Sequence, residues 1–412
     1  MPQPRPGRAG GERRRPTPAI YRRRRLAAAA ALVAIVLLLV LAGRGSDGNP
    51  PDLAPAELLR IERTVNPVHL TVSASGDLLI HSQLWAQALS DGGGSYDFAP
   101  MLDAIRPYTA TADLGLCHVE TPMTPGASAL PQSYPVFNTP PELAKGIRET
   151  GWDACDTASN HSLDQGQEGI DGTGAALDRQ GIRHTGSFPS AASRNRPLVL
   201  DVDGVKVGFI AYTDLTNGIP LPHPWSLNTA LADDPVEPKA RRILADAKRA
   251  RDAGAEAVIL NMHWGDENST EPNESQLDLA RRLTASPLID VIVGQGPHVV
   301  QPIRRVNGKF VVFSEGNLVS AQSALAGLPA ETQYGLIALL RLTADGHGVH
   351  VDRVDYVPTW VDLNGYRVIP VGLGLRKSLG DPAAERAAYD SVVGIAGRGP
   401  SIGPLPPQLP AG

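Results

Sequence analysis

The chain has 412 residues, 42% of them hydrophobic and 20% charged, with two cysteines; this composition is typical of a large globular protein and excludes collagen, disorder throughout and a disulfide-rich scaffold. The net charge of −5 is unevenly spread, because residues 1–25 carry nine arginines and one glutamate (net +8), which leaves −13 on the rest. An acidic body lacks the basic charge that neutralises phosphates, so we expect no nucleic-acid partner.

Residues 26–42 form an uninterrupted apolar run directly after four arginines. The run has no polar face, unlike most buried core helices, and its length lies between that of a transmembrane helix and that of a signal-peptide core. We favour an uncleaved anchor over 26–43, with a cleaved signal as the alternative. By the positive-inside rule, residues 1–25 form a cytoplasmic tail and the C-terminal domain of this single-pass cell-membrane protein lies outside the cytoplasm.

A linker rich in Pro and Gly, residues 44–66, leads to the predicted folded domain, 67–376, which is followed by a C-terminal tail, 377–412. Inside the domain, apolar runs of strand length alternate with longer helical patterns, which is typical of βαβ units. The predicted strands cover 68–74, 112–117, 154–158, 205–212, 257–262 and 289–293, and the predicted helices lie near 167–180, 236–253 and 275–286.

Two dipeptides interrupt this alternation. Asp203-Gly204 and Asn307-Gly308 each stand between two β-type runs and predict type I′ hairpin turns. After Tyr334 the pattern consists of strands only. We therefore predict an α/β fold with mixed sheets, in which antiparallel strands are added to parallel ones.

The two cysteines, Cys117 and Cys155, each lie near the end of an apolar run. In an oxidising compartment they could form a disulfide. Two buried thiols at strand ends fit the sequence equally well, because the sequence does not determine the separation of the two sulfur atoms. Both alternatives stay open at this stage.

Five strand-like runs end in a carboxylate, an amide or an imidazole. Polar residues at the carboxyl ends of strands meet at one edge of an α/β sheet, where sites usually lie. Together they offer oxygen and nitrogen ligands without a thiolate, a set suited to one or two ions of Mn, Fe, Zn or Mg. Such a metal activates water and polarises phosphoryl or carbonyl oxygens. The residues are Asp77, Glu120, Asn160 with His161 and Asp164, His263 and His298.

The ordered motifs GDLLIH, HVETP, SNHSLDQG, HWGDE and GQGPHVVQP, followed by GKFVVFSEGN and VDYVPTW, resemble the CapA family, named for poly-γ-glutamate capsule synthesis. The resemblance covers roughly residues 68–365. The family is grouped with the calcineurin-like metallophosphoesterases, so the resemblance implies a metallophosphoesterase-like α/β/β/α sandwich with mixed sheets. A shared fold does not establish a substrate.

The resemblance also implies a role for each matching residue. Asp77 corresponds to the first carboxylate ligand of the family, and Glu120 to an acid that bridges two metals. Asn160 matches the ligand of the Asn-His motif, whereas His263 and His298 match the two histidine ligands. These five residues are sufficient for one metal and hold two only with help from water or a bridging hydroxide.

For catalysis, the resemblance implies that His161 is a general acid or holds the substrate oxyanion, and that Asp164 orients the His161 ring. The chain departs from the family at three positions. His118 replaces an Asn of the Asn-x-Glu motif, and we interpret it as a structural or surface residue. Gln295 and Gly296 stand where family members often have histidines, so at least one nitrogen ligand is missing.

Three functions fit these observations. The first is a metal-dependent hydrolase of phosphoesterase type in poly-γ-glutamate or capsule-polymer synthesis or export, with a membrane ligase or exporter as partner. The second is a non-catalytic accessory subunit that binds the polymer or partner membrane proteins, and the third is a phosphoesterase acting on cell-envelope phosphate esters. The acidic body would repel a polyanionic product unless a metal or a local basic patch intervenes.

Overall fold

The computed structural model describes residues 66–124, 130–406 and 408–409. No helix in these ranges is both long enough and apolar enough to cross a membrane. The predicted cytoplasmic tail, the predicted anchor at 26–43 and nearly all of the linker lie outside the described residues.

The described residues form fifteen strands and ten α-helices. The strands are β1 (Val68–Leu78), β2 (Leu114–Val119), β3 (Ala154–Asp156), β4 (Arg183–Thr185), β5 (Leu198–Val202), β6 (Val205–Thr213), β7 (Ala257–His263), β8 (Val291–Gln295), β9 (Val300–Val306), β10 (Lys309–Glu315), β11 (Asn317–Val319), β12 (Tyr334–Asp345), β13 (Gly348–Asp362), β14 (Arg367–Pro370) and β15 (Ile402–Pro404). The helices are α1 (Ser82–Asp91), α2 (Ala99–Leu102), α3 (Arg106–Thr109), α4 (Leu143–Thr150), α5 (Gly166–Arg179), α6 (Ala191–Arg194), α7 (Val236–Asp252), α8 (Glu274–Thr284), α9 (Val371–Lys377) and α10 (Pro382–Ala396). Short 3₁₀ helices cover Asp103–Ile105, Ala324–Ala326 and Ala330–Gln333.

The strands form two mixed sheets. The first sheet has the order β14-β13-β12-β1-β2-β3-β4, with β11 beside β1 and β15 beside β13. Its strands β1 to β4 are parallel, whereas β12, β13 and β14 are added in antiparallel fashion. The second sheet has the order β5-β6-β7-β8-β10-β9, with parallel strands in its centre and an antiparallel strand at each edge. The six predicted strands and the three predicted helices are confirmed.

The two sheets pack face to face over the largest apolar cluster, which contains Leu116 of the first sheet and Phe209 and Phe310 of the second. A second cluster lies between the first sheet and helices α1, α2, α4 and α5. A third lies between the second sheet and helices α7 and α8. Full burial of one such Leu or Phe contributes about 2 kcal/mol. The predicted α/β/β/α layering is therefore confirmed.

Both predicted hairpin turns are present. Asp203 and Gly204 have φ values of 50° and 89°, and Asn307 and Gly308 have φ values of 48° and 81°. A type I′ turn requires a positive φ at both central residues, which Asn, Asp and Gly tolerate best. The first hairpin joins β5 to β6, and the second joins β9 to β10.

Cys117 and Cys155 form a disulfide. They are direct register partners in the adjacent parallel strands β2 and β3, with a Cα–Cα distance of 4.4 Å. The strand register thus decides between the two alternatives that the sequence left open. Both residues are fully buried in the cluster under the helices of the first sheet.

The segment beyond residue 376, predicted to be a tail, contains helix α10 and strand β15. Helix α10 has a well-formed N-terminal cap. Asp381 accepts the N–H groups of Ala383 and Ala384, and Pro382 occupies the first turn. Its buried face includes Ala388 and Val392 and packs on the first sheet, with which β15 pairs. The folded domain therefore extends past 376, a correction to the predicted boundary.

Candidate metal centre

The alternation of side chains along β2 places the site between the two sheets. Cys117 and Val119 belong to the outer cluster beneath the helices, whereas Leu116 belongs to the cluster between the sheets. Because side chains alternate with a period of two, His118 and Glu120 point to the same side as Leu116. Both are fully buried.

Strand β7 repeats this pattern from the opposite sheet. Ile259 faces the cluster between the sheets and Leu260 the outer helices. Asn261 and His263 therefore also face the inter-sheet space, near the carboxyl end of the strand. Both sheets thus deliver polar side chains to a buried space at the carboxyl ends of their parallel strands, as the sequence predicted.

Two groups of side chains in this space have the spacing of a metal site, and Asp77 belongs to both. The first group is Asp77, His118 and His263, and the second is Asp77, Glu120 and His298. In each group the potential ligand atoms lie within 4.8 Å of one another. The first group offers two nitrogen atoms and one oxygen, and the second offers one nitrogen and two oxygens.

The first group is held by a chain of hydrogen bonds. His118 Nδ1 donates to Asp156 Oδ1 at 2.9 Å, and Asn261 Nδ2 donates to Asp156 Oδ2 at 2.8 Å. This directs His118 Nε2 toward His263 Nδ1 at 3.1 Å and Asp77 Oδ1 at 3.7 Å. A carboxylate that orients a ligating imidazole through its other nitrogen is a common support in metal sites.

The second group is anchored at His298. Its Nδ1 lies 3.0 Å from Asp77 Oδ2 and 3.1 Å from Asn317 Oδ1, and its Nε2 lies 3.8 Å from Glu120 Oε1. His298 has a φ of 61°, the left-handed region that few non-glycine residues adopt. Strain of this kind is concentrated at functional sites.

Buried oxygen atoms without hydrogen-bond partners indicate whether a cation would fit in this space. Asp77 Oδ1, both Glu120 carboxylate oxygens and Asn160 Oδ1 are buried and have no hydrogen-bond partner among the described residues. A buried oxygen without a partner costs free energy, which a coordinated cation would offset. The donor set, made of carboxylates, imidazoles and an amide, suits a divalent metal. The side chains therefore fit the group that the family implies.

The electrostatics of the centre favour positive charge. Burial alone would lower the pKa of His118, but Asp156, Asp77 and Glu120 raise it to about 9. The pKa of His298 rises to about 10 in the same way, because Glu120 and Asp77 outweigh burial. Burial raises the pKa of Glu120 to about 7, with a further contribution from Asp77.

His263 differs from the other two histidines of the centre. Burial, together with His118 and His298, lowers its pKa well below the usual value. The neutral imidazole is the form that binds a metal. His263 therefore needs no deprotonation before it coordinates.

His161 and Asp164 form the predicted pair beside the centre. His161 Nδ1 donates to Asp164 Oδ2 at 2.7 Å, and the backbone N–H of Phe137 donates to the same oxygen at 2.7 Å. The Phe137 ring packs edge-on against the His161 ring with a centroid distance of 4.6 Å. Asn160 Nδ2 donates to Asn217 Oδ1 at 3.3 Å, so that its own Oδ1 is left without a partner.

The structure explains the two departures at 295 and 296. A Cβ atom at Gly296 would lie 3.0 Å from the backbone N and O of Trp264, and the φ of this residue is 108°, so a histidine would be strained there. Gln295 is fully buried and donates to Glu315 Oε2 at 3.1 Å. No imidazole therefore comes from these two positions.

His118, which we interpreted as a structural or surface residue, is fully buried and brings an imidazole to the first group, so it is not a surface residue. The alternation in β2 carries the signal, because His118 shares the face of Leu116 and Glu120. Asp156, which holds His118, was missed, because it follows an ordinary apolar strand pattern. Asn317, which contacts His298, lies in the motif GKFVVFSEGN but was not assigned a role in the site. The predicted ligands Asp77, Glu120, His263 and His298 are brought together.

A layered α/β protein with buried carboxylates and imidazoles between its sheets that could hold a divalent metal is thus the class that fold and site define. A profile of the family described as "Bacterial capsule synthesis protein PGA_cap" matches residues 71–322. The match covers more than half of the chain, which therefore belongs to this family. The resemblance to the CapA family is confirmed.

Two relatives are bacterial capsule proteins. "PGA biosynthesis protein CapA" of Bacillus subtilis is 28% identical over 187 residues, which are 45% of this chain and 47% of the relative. "Capsule biosynthesis protein CapA" of Bacillus anthracis is 27% identical over 185 residues, 44% of this chain and 43% of the relative. The chain spans about half the length of these curated relatives.

A solved structure shows a more distant likeness. The calcineurin-like phosphoesterase YfkN of Bacillus subtilis is 14% identical, with a TM-score of 0.43, and the comparison covers 78% of this chain and 99% of that chain.

Proposed function

We propose that this protein is a membrane-anchored, extracytoplasmic, metal-dependent hydrolase of phosphoesterase type that acts in the synthesis or export of poly-γ-glutamate or a related capsule polymer. The observation that carries the proposal is the buried centre at Asp77, where oxygens without partners face imidazoles from both sheets. Family membership supports the link to a capsule polymer. The apolar run at 26–42 behind four arginines supports the anchor.

The ligands divide between the two groups that share Asp77. His118 and His263 would hold one ion, and Glu120 and His298 a second, with Asn160 as a further oxygen ligand beside them. A divalent metal bound here supplies a polarised water and a Lewis acid for a phosphoryl or carbonyl oxygen. Asp156 would hold the ring of His118 in place, and Asn317 that of His298.

His161 provides the proton chemistry. Because its Nδ1 donates to Asp164, Nε2 is the nitrogen left to exchange a proton with a leaving-group oxygen or to bind an oxyanion. Phe137 restricts the ring on one side, which reduces the conformational freedom that would otherwise be lost on substrate binding.

A second candidate is the non-catalytic accessory subunit. The observation that favours it is the pair of positions 295 and 296, where one side chain is engaged by Glu315 and the other is absent. Such a protein would use the metal centre to bind the polymer or to stabilise its own fold. The two candidates differ in turnover and not in metal content.

The test is the metal content of the full-length protein, purified in detergent, by elemental mass spectrometry. We expect about one or two equivalents of Mn, Fe, Zn or Mg per chain, and a loss in His263→Ala. His350→Ala is the matched control, because it removes an exposed imidazole of β13 and is expected to keep the metal. Wild-type protein without metal after reconstitution would contradict the proposal.

Turnover separates the two candidates. A screen of phosphoesters is run with wild type and with His161→Ala, which we expect to keep its metal and to lose at least about 100-fold in kcat. Equal loss of metal in His161→Ala and His263→Ala would refute the assigned roles. Full metal content without turnover on any phosphoester would favour the accessory subunit.

A further inference from the structure

A cleft that contains none of the candidate metal ligands carries a separate inference. Strand β4 is the edge of the first sheet and β5 the edge of the second, and a cleft of about 200 Å³ lies where these edges meet. Arg183, His184 and Arg196 line it together with the apolar side chains of Phe188 and Leu198. Arg183 is the first residue of β4, at the end of the sheet opposite to the carboxyl ends that form the metal centre.

The two arginines of the cleft are exposed, and neither side chain has a hydrogen bond or an ion pair with any other described residue. One carboxylate, Asp178, also lines the cleft and lies 3.4 Å from His184 Nε2. Burial lowers the pKa of His184, so this imidazole is mainly neutral at pH 7. The cleft is therefore net positive on a chain body that is strongly acidic.

Several arginines that line neighbouring cavities are engaged by other groups of the protein. In the neighbouring cavity, Arg194 and Arg249 both bind the buried Asp246. In a larger cleft of about 390 Å³ at Arg305, that side chain donates to the backbone oxygens of Gly308 and Asp352. Guanidinium groups left without partners in a cleft are suited to carboxylates, which they bind in a planar, bidentate geometry.

We infer that this cleft binds a carboxylate-bearing polymer, with Arg183 and Arg196 each holding a carboxylate. The inference rests on the proposed function, which makes poly-γ-glutamate the polymer. The acidic remainder of the domain repels a polyanion, so a local basic cleft is the place where such a chain stays bound. The cleft shares no residue with the candidate metal ligands, so a polymer bound there would leave those ligands free.

The experiment measures the binding of a fluorescently labelled poly-γ-glutamate oligomer to the full-length protein in detergent, by anisotropy. We expect the double variant Arg183→Gln/Arg196→Gln to raise the Kd about fivefold or more and to reduce its dependence on salt. Arg106→Gln/Arg148→Gln is the matched control. It removes the same charge from two exposed arginines on helices of the first sheet, and its Kd is expected to stay near the wild-type value.

Several results would overturn the inference. These are an unchanged Kd in the double variant, an equal loss in the control, and equally tight binding of an uncharged, amidated polymer or of polyphosphate. Binding is also measured with a chelator and in His263→Ala. Retained binding supports the cleft even if the hydrolase proposal fails, whereas binding that disappears with the metal would place the polymer at the metal centre and refute the cleft.

Discussion

The two halves of the metal centre differ in how their ligands are held. In the nitrogen-rich half, His118 is fixed by Asp156, which is in turn fixed by Asn261. In the oxygen-rich half, Glu120 is fully buried and neither of its oxygens has a hydrogen-bond partner among the described residues. The first half is organised without a metal, whereas the second would be stabilised by a bound metal.

Asp77 belongs to both halves, so its loss should weaken metal binding in both. We expect Asp77→Asn to lower metal affinity by more than about 100-fold, because each ion loses an anionic ligand. Metal titration of the full-length protein, followed by elemental mass spectrometry, measures this. Asp352→Asn, which changes a carboxylate of β13 outside the centre, is the control. A variant that keeps both ions would show that Asp77 does not join the two halves.

Loss of His118 should affect both stability and metal binding. His118→Ala leaves the buried Asp156 carboxylate without its imidazole partner, and we expect it to destabilise the metal-free fold by about 3 kcal/mol. Urea unfolding in the presence of a chelator measures the change. His118→Asn, which retains a side-chain donor, should recover part of it. An unchanged midpoint in His118→Ala would mean that the hydrogen-bond chain does not organise this half.

Loss of the Glu120 charge should stabilise the metal-free fold, whereas loss of His118 should destabilise it. Because burial raises the pKa of Glu120 from 4.5 to about 7, its ionised form is unfavourable in the fold without metal, so its contribution to stability falls as the pH rises from about 4.5 to about 7 and levels off above that. We expect Glu120→Gln to stabilise the metal-free protein by about 2 kcal/mol at about pH 8. The same variant should gain less stability from added metal than the wild type. Destabilisation without metal would contradict the proposed division between the halves.

Much of the fold was predictable because it follows from local patterns in the sequence. The strands and helices follow from hydrophobic periodicity, and the turns at Asp203-Gly204 and Asn307-Gly308 follow from the positive φ that these residues tolerate. Asp77, Glu120, His263 and His298 were predictable as a group, because each follows a strand and parallel strands end at one edge. The predicted domain end was wrong, since helix α10 and the three-residue strand β15 become buried only against the finished sheet.

The part of the site that was missed depends on neighbours distant in the chain. In the sequence, His118 is an ordinary residue of a β-type run. In the structure, β7 places His263 3.1 Å from it and β3 places Asp156 2.9 Å from it. The disulfide depends in the same way on the register of β2 and β3. No spacing along the chain encodes these distances, because each arises where separate strands are placed side by side.

The sequence by itself determined the elements, their order, the family and most of the ligand candidates, since these depend on periodicity, turn residues and ordered motifs. The tertiary structure decided that His118 completes the centre, that the two cysteines are joined and that Arg183 and Arg196 share a cleft between two sheet edges. The physical reason is that side chains far apart in sequence acquire partners, or are left without them, only when the two sheets pack against each other.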